Sequence, residues 1–155
     1  MLLSYFDFKF SNLNESREIS KRVVITGTLL IWLIKYGIRP LHPGNEAVTF
    51  FLNIAPNLLG SFLIPFGACW FFAGRDFRLA RIFRIRNYTE LGRVCILGFL
   101  MLVVNEYLQR IPFFGRTFDV YDILFSAVGL GIAYFVYSRW LITRSVAEPN
   151  YYDQQ

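Results

Sequence analysis

Histidine and cysteine are scarce in this chain, and each scarcity removes a class of chemistry. His42 is the one histidine, set in the loop RPLHPGNE; a Ser-His-Asp or Cys-His arrangement would have a single possible base, with no nucleophile motif around it. The two cysteines, Cys69 and Cys95, each sit inside an apolar run and form no CxxC or Cys/His cluster, which argues against zinc and redox chemistry. Neither a metal nor a cofactor is expected. Charge is sparse as well, at 17% of residues. Residues 1–22 lack a basic segment followed by an apolar core, so no cleaved signal peptide is read, and the first apolar run is expected to serve as the targeting signal.

Apolar residues are what the chain has in quantity. Of 155 residues, 55% are hydrophobic and 19% aromatic, gathered in long runs instead of the short stripes of a soluble protein. Each membrane crossing needs roughly 20 residues, so the length accommodates about four. The expected fold is all-α, a polytopic bundle of four transmembrane helices over residues 23–38, 47–73, 94–111 and 123–142, making one transmembrane domain, 23–144. Residues 1–22 read as a cytoplasmic or interfacial segment and 145–155 as a cytoplasmic tail. The net charge of +5 does not point to nucleic acid, because the arginines flank apolar runs, where the positive-inside rule accounts for them.

Local signals refine this outline. Met1–Phe10 fits either a short surface helix or an extended arm, and Asn12 with Glu15 resembles a capping pair that opens the first helix. Lys35 and Arg39 sit near the far end of the first span, where long side chains snorkel. Asn53, Pro56, Asn57 and Pro65 interrupt the second run, which should be kinked, with the asparagines as polar glue inside the bundle. Arginines at 75, 78, 81 and 84 alternate with apolar residues through Arg75–Asn87, the pattern of a basic interfacial helix on anionic lipid headgroups. Lys21 and Arg22, this arginine segment, and Arg139 with Arg144 all fall on one side of a four-helix protein. Both termini are therefore expected in the cytoplasm of a multi-pass inner-membrane protein.

The candidate site lies at the opposite end, in Asn105–Gly131. Glu106 and Gln109 are three apart and share a helical face. Asp119, Asp122, Ser126, Gly129 and Ala133 follow at spacings of three or four and form one stripe, polar at its start and small further in. Pro112, Gly115 and Arg116 suit a turn that brings Glu106 and Gln109 to the same end as Asp119 and Asp122. Three carboxylates against Arg110 and Arg116 leave one negative charge, to be relieved by a proton, a cation or a cationic ligand group. Ala127, Gly129, Gly131 and Ala133 are expected to admit a neighbouring helix.

The series Glu106-x2-Gln109-x6-Arg116-x2-Asp119-x2-Asp122, followed by Gly129, resembles the signature of VanZ-like bacterial membrane proteins. Pro65-Phe66-Gly67 is similar to that family's apolar Pro-x-Gly segment. Two positions depart from the pattern: Ser126 stands where the family commonly has asparagine, and Asn57 lies farther from the proline than the family's asparagine does. The family's named member is associated with reduced susceptibility to the glycopeptide antibiotic teicoplanin. The resemblance implies a location and a cell-envelope setting; the reading built beside it is an outward-facing polar pocket of Glu106, Gln109, Arg116, Asp119 and Asp122 that binds an envelope component or an amphipathic, glycopeptide-type compound, without covalent chemistry. Membrane lipids are the other expected partner. Two alternatives stand beside it: an enzyme on a lipid-linked substrate with Glu106 and an aspartate as acid and base, and a small transporter or accessory subunit of an envelope-polymer system.

Overall fold

The computed structural model describes residues 2–41, 46–109 and 119–139, with side chains from Asn14 onward. Every regular element among these residues is helical. Helix α1 spans Leu2–Trp32, so residues 2–10 are helix and not an extended arm. It also runs straight through Asn12, and the capping pair expected at Asn12 and Glu15 does not start it. The physical reason is that no proline or glycine occurs before Gly27 to end a helical turn. Past Trp32 the helix loosens into π-type turns over Leu33–Ile38 and tightens to 3-10 geometry over Arg39–Leu41. Pro40 lies at this change; it has no N–H for the preceding turn and its ring crowds the carbonyl four residues back.

The second apolar run is two helices, α2 (Glu46–Phe62) and α3 (Ile64–Phe72), joined at Leu63. Of the two prolines in it, Pro56 stays inside α2 and Pro65 occupies the first turn of α3. The expected kink therefore lies at Pro65, where a missing N–H is tolerated because the first turn leaves its donors unused. Gly74 then turns the chain with φ +75°, a left-handed conformation that favours glycine.

The arginine segment is only partly helical. Instead of a helix across Arg75–Asn87, the structure has the six-residue α4 (Arg78–Phe83), between extended residues at Phe77 and Arg84. Helix α5 (Tyr88–Leu108) begins six residues earlier than the span expected at 94, because Asn87 and Glu90 form a capping pair. Glu90 N donates to Asn87 Oδ1 at 2.8 Å, and Glu90 Oε2 accepts from Arg86 N at 2.7 Å. Helix α6 covers Val120–Tyr137.

Among the described residues, four stretches are long and apolar enough to cross a membrane: Asn14–Leu41, Glu46–Phe72, Tyr88–Leu108 and Val120–Tyr137. Their large side chains are exposed along the length, Phe51, Ile96, Met101 and Phe135 among them, as expected where hydrocarbon replaces water. Contacts fix the directions. Arg17 Nε reaches the Trp70 carbonyl, and ten residues on Gly27 meets Leu63, so α1 and α3 are antiparallel. Leu91 shares a buried cluster with Cys69 and Tyr137, and Gly98 meets Ile64 farther along, so α5 runs against α3 and α6. Helices α2 and α6 run in the same direction: Phe50 meets Tyr121, Leu58 and Ser61 meet Gly129, and Phe66 meets Tyr137.

The best-packed core lies at the arginine-rich end. Phe66, Cys69, Leu91, Ala133 and Tyr137 are buried there, with Ile19 and Val23 of α1 against them. This end gathers Arg17, Lys21, Arg22, the Arg75–Arg93 arginines and Arg139. The other end carries Glu46, Glu106, Asp119 and Asp122 with Lys35 and Arg39.

Candidate functional site

Helix α5 ends in the sequence Asn105-Glu106-Tyr107-Leu108, with Gln109 as its C-cap. Gln109 N donates to the carbonyls of Asn105 and Glu106, both at 3.2 Å, which closes the last turn. Its side chain folds back so that Nε2 donates to Glu106 Oε1 at 2.9 Å. The shared face read from the spacing is thus an actual hydrogen bond. Glu106 is only 8% exposed, an uncommon state for a carboxylate.

Helix α6 begins with the two aspartates in different roles. Asp119 is exposed and caps the helix, its Oδ1 accepting from Tyr121 N at 2.9 Å and its carbonyl from Asp122 N at 3.2 Å. Negative charge at a helix N-terminus is favoured by the unpaired N–H groups there. Asp122, one turn on, is half-buried, with the side chain of Asn57 on α2 beside it. The aromatic pair Phe50–Tyr121, edge-on at 5.6 Å, packs at the same end of the α2–α6 interface.

Below these polar residues the stripe on α6 becomes small and buried. Ser126, Gly129 and Ala133 are buried, and a Cβ on Gly129 would land on Ser61 Oγ and the Leu58 carbonyl of α2. Ser61 itself donates to the Leu58 carbonyl at 2.9 Å. Gly129 and Ala133 therefore do the packing expected of them. Ala127 and Gly131 do not: they are exposed and line a shallow apolar groove between α5 and α6, and a Cβ at Gly131 would meet nothing within 4 Å. The two small-residue series lie on opposite sides of one helix, and only one side meets α2.

Of the five residues read as the site, the structure pairs Glu106 with Gln109, uses Asp119 as a cap and turns Asp122 toward α2. Arg116 lies outside the described residues, as do Arg110 and His42. Asn57 is the partner that sequence reasoning did not assign: it was read with Asn53 as bundle glue, yet Asn53 is exposed while Asn57 reaches a carboxylate. Only the parallel register of α2 and α6 connects them, and no local pattern encodes that.

Chemically, this end of the bundle offers acceptors. Carboxylates and an amide at the mouth of an apolar bundle suit ammonium groups, hydroxyls or other donors. Among the described residues, no three histidine, cysteine, aspartate or glutamate side chains gather as a metal site. No family model matches this chain, and neither does any curated protein or solved structure.

Proposed function

We propose that this is a VanZ-like protein of the bacterial inner membrane, with both termini and the arginine segment in the cytoplasm. Its outward-facing polar pocket, built from Glu106, Gln109, Arg116, Asp119 and Asp122, binds a cell-envelope component or an amphipathic, glycopeptide-type compound. The observation that carries the reading is Glu106, a carboxylate 8% exposed in the last turn of an apolar helix and held by Gln109. A carboxylate at membrane depth is disfavoured by up to about 3 kcal/mol on insertion scales, and such residues mark sites more often than scaffolding. Asp122 adds to it, a half-buried carboxylate beside Asn57 at the same end of the α2–α6 interface. The distribution of basic residues supports the orientation.

The test compares protein level with phenotype in a deletion strain carrying each variant. Asp122→Asn and Gln109→Ala are expected at wild-type abundance, with loss of the envelope phenotype of the deletion, scored as survival under teicoplanin and under detergent stress. Full survival with both variants at normal abundance would show that the polar end is structural and end the binding reading.

A further inference from the structure

At the opposite end of the bundle, the surface of α4 carries a feature that the outer pocket leaves unused. Its outer arc presents Arg78 and Arg81, both exposed, with Leu79 at 51% and Ile82 at 44% exposure between and beside them. Residues three apart are neighbours on a helix, so the two guanidinium groups share one side with apolar side chains interleaved. Ala80 and Phe83 hold the opposite arc to the protein: Ala80 is fully buried, and Phe83 stacks on Phe72 at 5.3 Å and 21°. The arc that faces outward is thus fixed by packing.

The structure also divides the arginines, which the sequence alone presents as a regular series. Arg84 turns back to Asp76, with Nη1 to Oδ1 at 3.1 Å, and its side chain is 19% exposed. Glu90, the other acid of the segment, accepts from Arg86 N in the cap of α5. Asp76 is thereby matched to Arg84, and the Arg78–Arg81 arc keeps its positive charge facing out. In water such an arc would expose Leu79 and Ile82 unfavourably. At the level of lipid headgroups, the apolar residues enter the acyl boundary and the guanidinium groups meet phosphates bidentately.

We propose that α4 is a docking surface for anionic phospholipid headgroups, in which Arg78 and Arg81 bind the phosphates, Leu79 and Ile82 enter the acyl boundary, and Arg84 takes no part. The charge complementarity is direct: six arginines stand against Asp76 and Glu90 between residues 75 and 93, and anionic lipid attracts each exposed basic residue. The surface is independent of the outer pocket and does not rest on its ligand.

The full chain in nanodiscs of mixed phosphatidylcholine and phosphatidylglycerol tests this, with co-purifying lipid counted by mass spectrometry after detergent extraction. Wild type is expected to retain phosphatidylglycerol preferentially, and the preference should fall as salt rises. Arg78→Gln and Arg81→Gln should each lower it about fivefold, and together about thirtyfold. Arg78→Lys with Arg81→Lys should keep most of it, because the charge remains. Arg84→Gln should lower the thermal midpoint in detergent and leave the lipid preference unchanged. Equal retention of both lipids by wild type overturns the proposal. So does an undiminished preference in the double glutamine variant, or a loss in Arg84→Gln as large as in Arg78→Gln.

Discussion

Replacing Gly129 by alanine puts a methyl group where α2 already has atoms. The new carbon would overlap Ser61 Oγ and the carbonyl oxygen and carbon of Leu58. Ser61 can rotate, but the Leu58 carbonyl is backbone, so the two helices must separate. Forcing a methylene into a packed interface is destabilising by about 1–3 kcal/mol. Glycine to alanine inside a helix otherwise stabilises by up to ~1 kcal/mol, and that gain partly masks the clash. Gly131 supplies the control two residues away, because the same change there meets open space. The difference between Gly129→Ala and Gly131→Ala therefore isolates the overpacking, at about 1–3 kcal/mol. Thermal unfolding of both variants in one detergent, followed by loss of the monodisperse peak, reads it. Adding Ser61→Ala to Gly129→Ala should restore only part of the loss, since the Leu58 carbonyl stays in place. Gly129→Ala as stable as Gly131→Ala would refute the close approach of α2 and α6.

Two further outcomes are expected. Cysteines placed at Gly44 and Arg78 in a cysteine-free background should react with a membrane-impermeant reagent from outside and only after lysis, respectively; labelling of position 78 in intact cells would reverse the proposed orientation. Asn87→Ala removes the cap of α5 and should destabilise the protein by about 1 kcal/mol, with Asn87→Asp retaining most of the stability; equal midpoints for wild type and Asn87→Ala would show that the cap is dispensable.

Much of the architecture was legible because it depends on local chemistry. Four long apolar runs imply four spanning helices, and a proline in the second implies a break. The spacing of Glu106 and Gln109 likewise implies a contact between them. Local chemistry also misled, at the Asn12–Glu15 pair, where no helix starts, and in the arginine segment. The threefold recurrence of arginine through residues 75–84 reads as a continuous helix, but Gly74, the Arg84–Asp76 pair and the Asn87 cap divide the segment. The Asn87-x2-Glu90 pattern that starts α5 is present in the sequence, next to the arginine period. Other features were beyond reading because they depend on which helix faces which. Gly129 with Ala133 and Ala127 with Gly131 have the same composition and spacing, and only the position of α2 decides which pair is buried. The Asn57–Asp122 contact has the same origin.

The parallel pairing of α2 with α6 has a consequence for biosynthesis. A ribosome releases α2 into the bilayer long before α6 exists, with α3, α4 and α5 still to be made. Until then Asn57 and Ser61 have no α6 against them, and polar side chains in hydrocarbon seek any partner within reach. The packing of α2 in this chain therefore waits for α6. When α6 arrives, Gly129 settles on Leu58 and Asp122 beside Asn57, so a helix made later sets the seat of the second. A nascent chain stalled before Gly129 would hold its early helices in the membrane unlocked, with an exposed polar face for membrane proteases and chaperones to recognise.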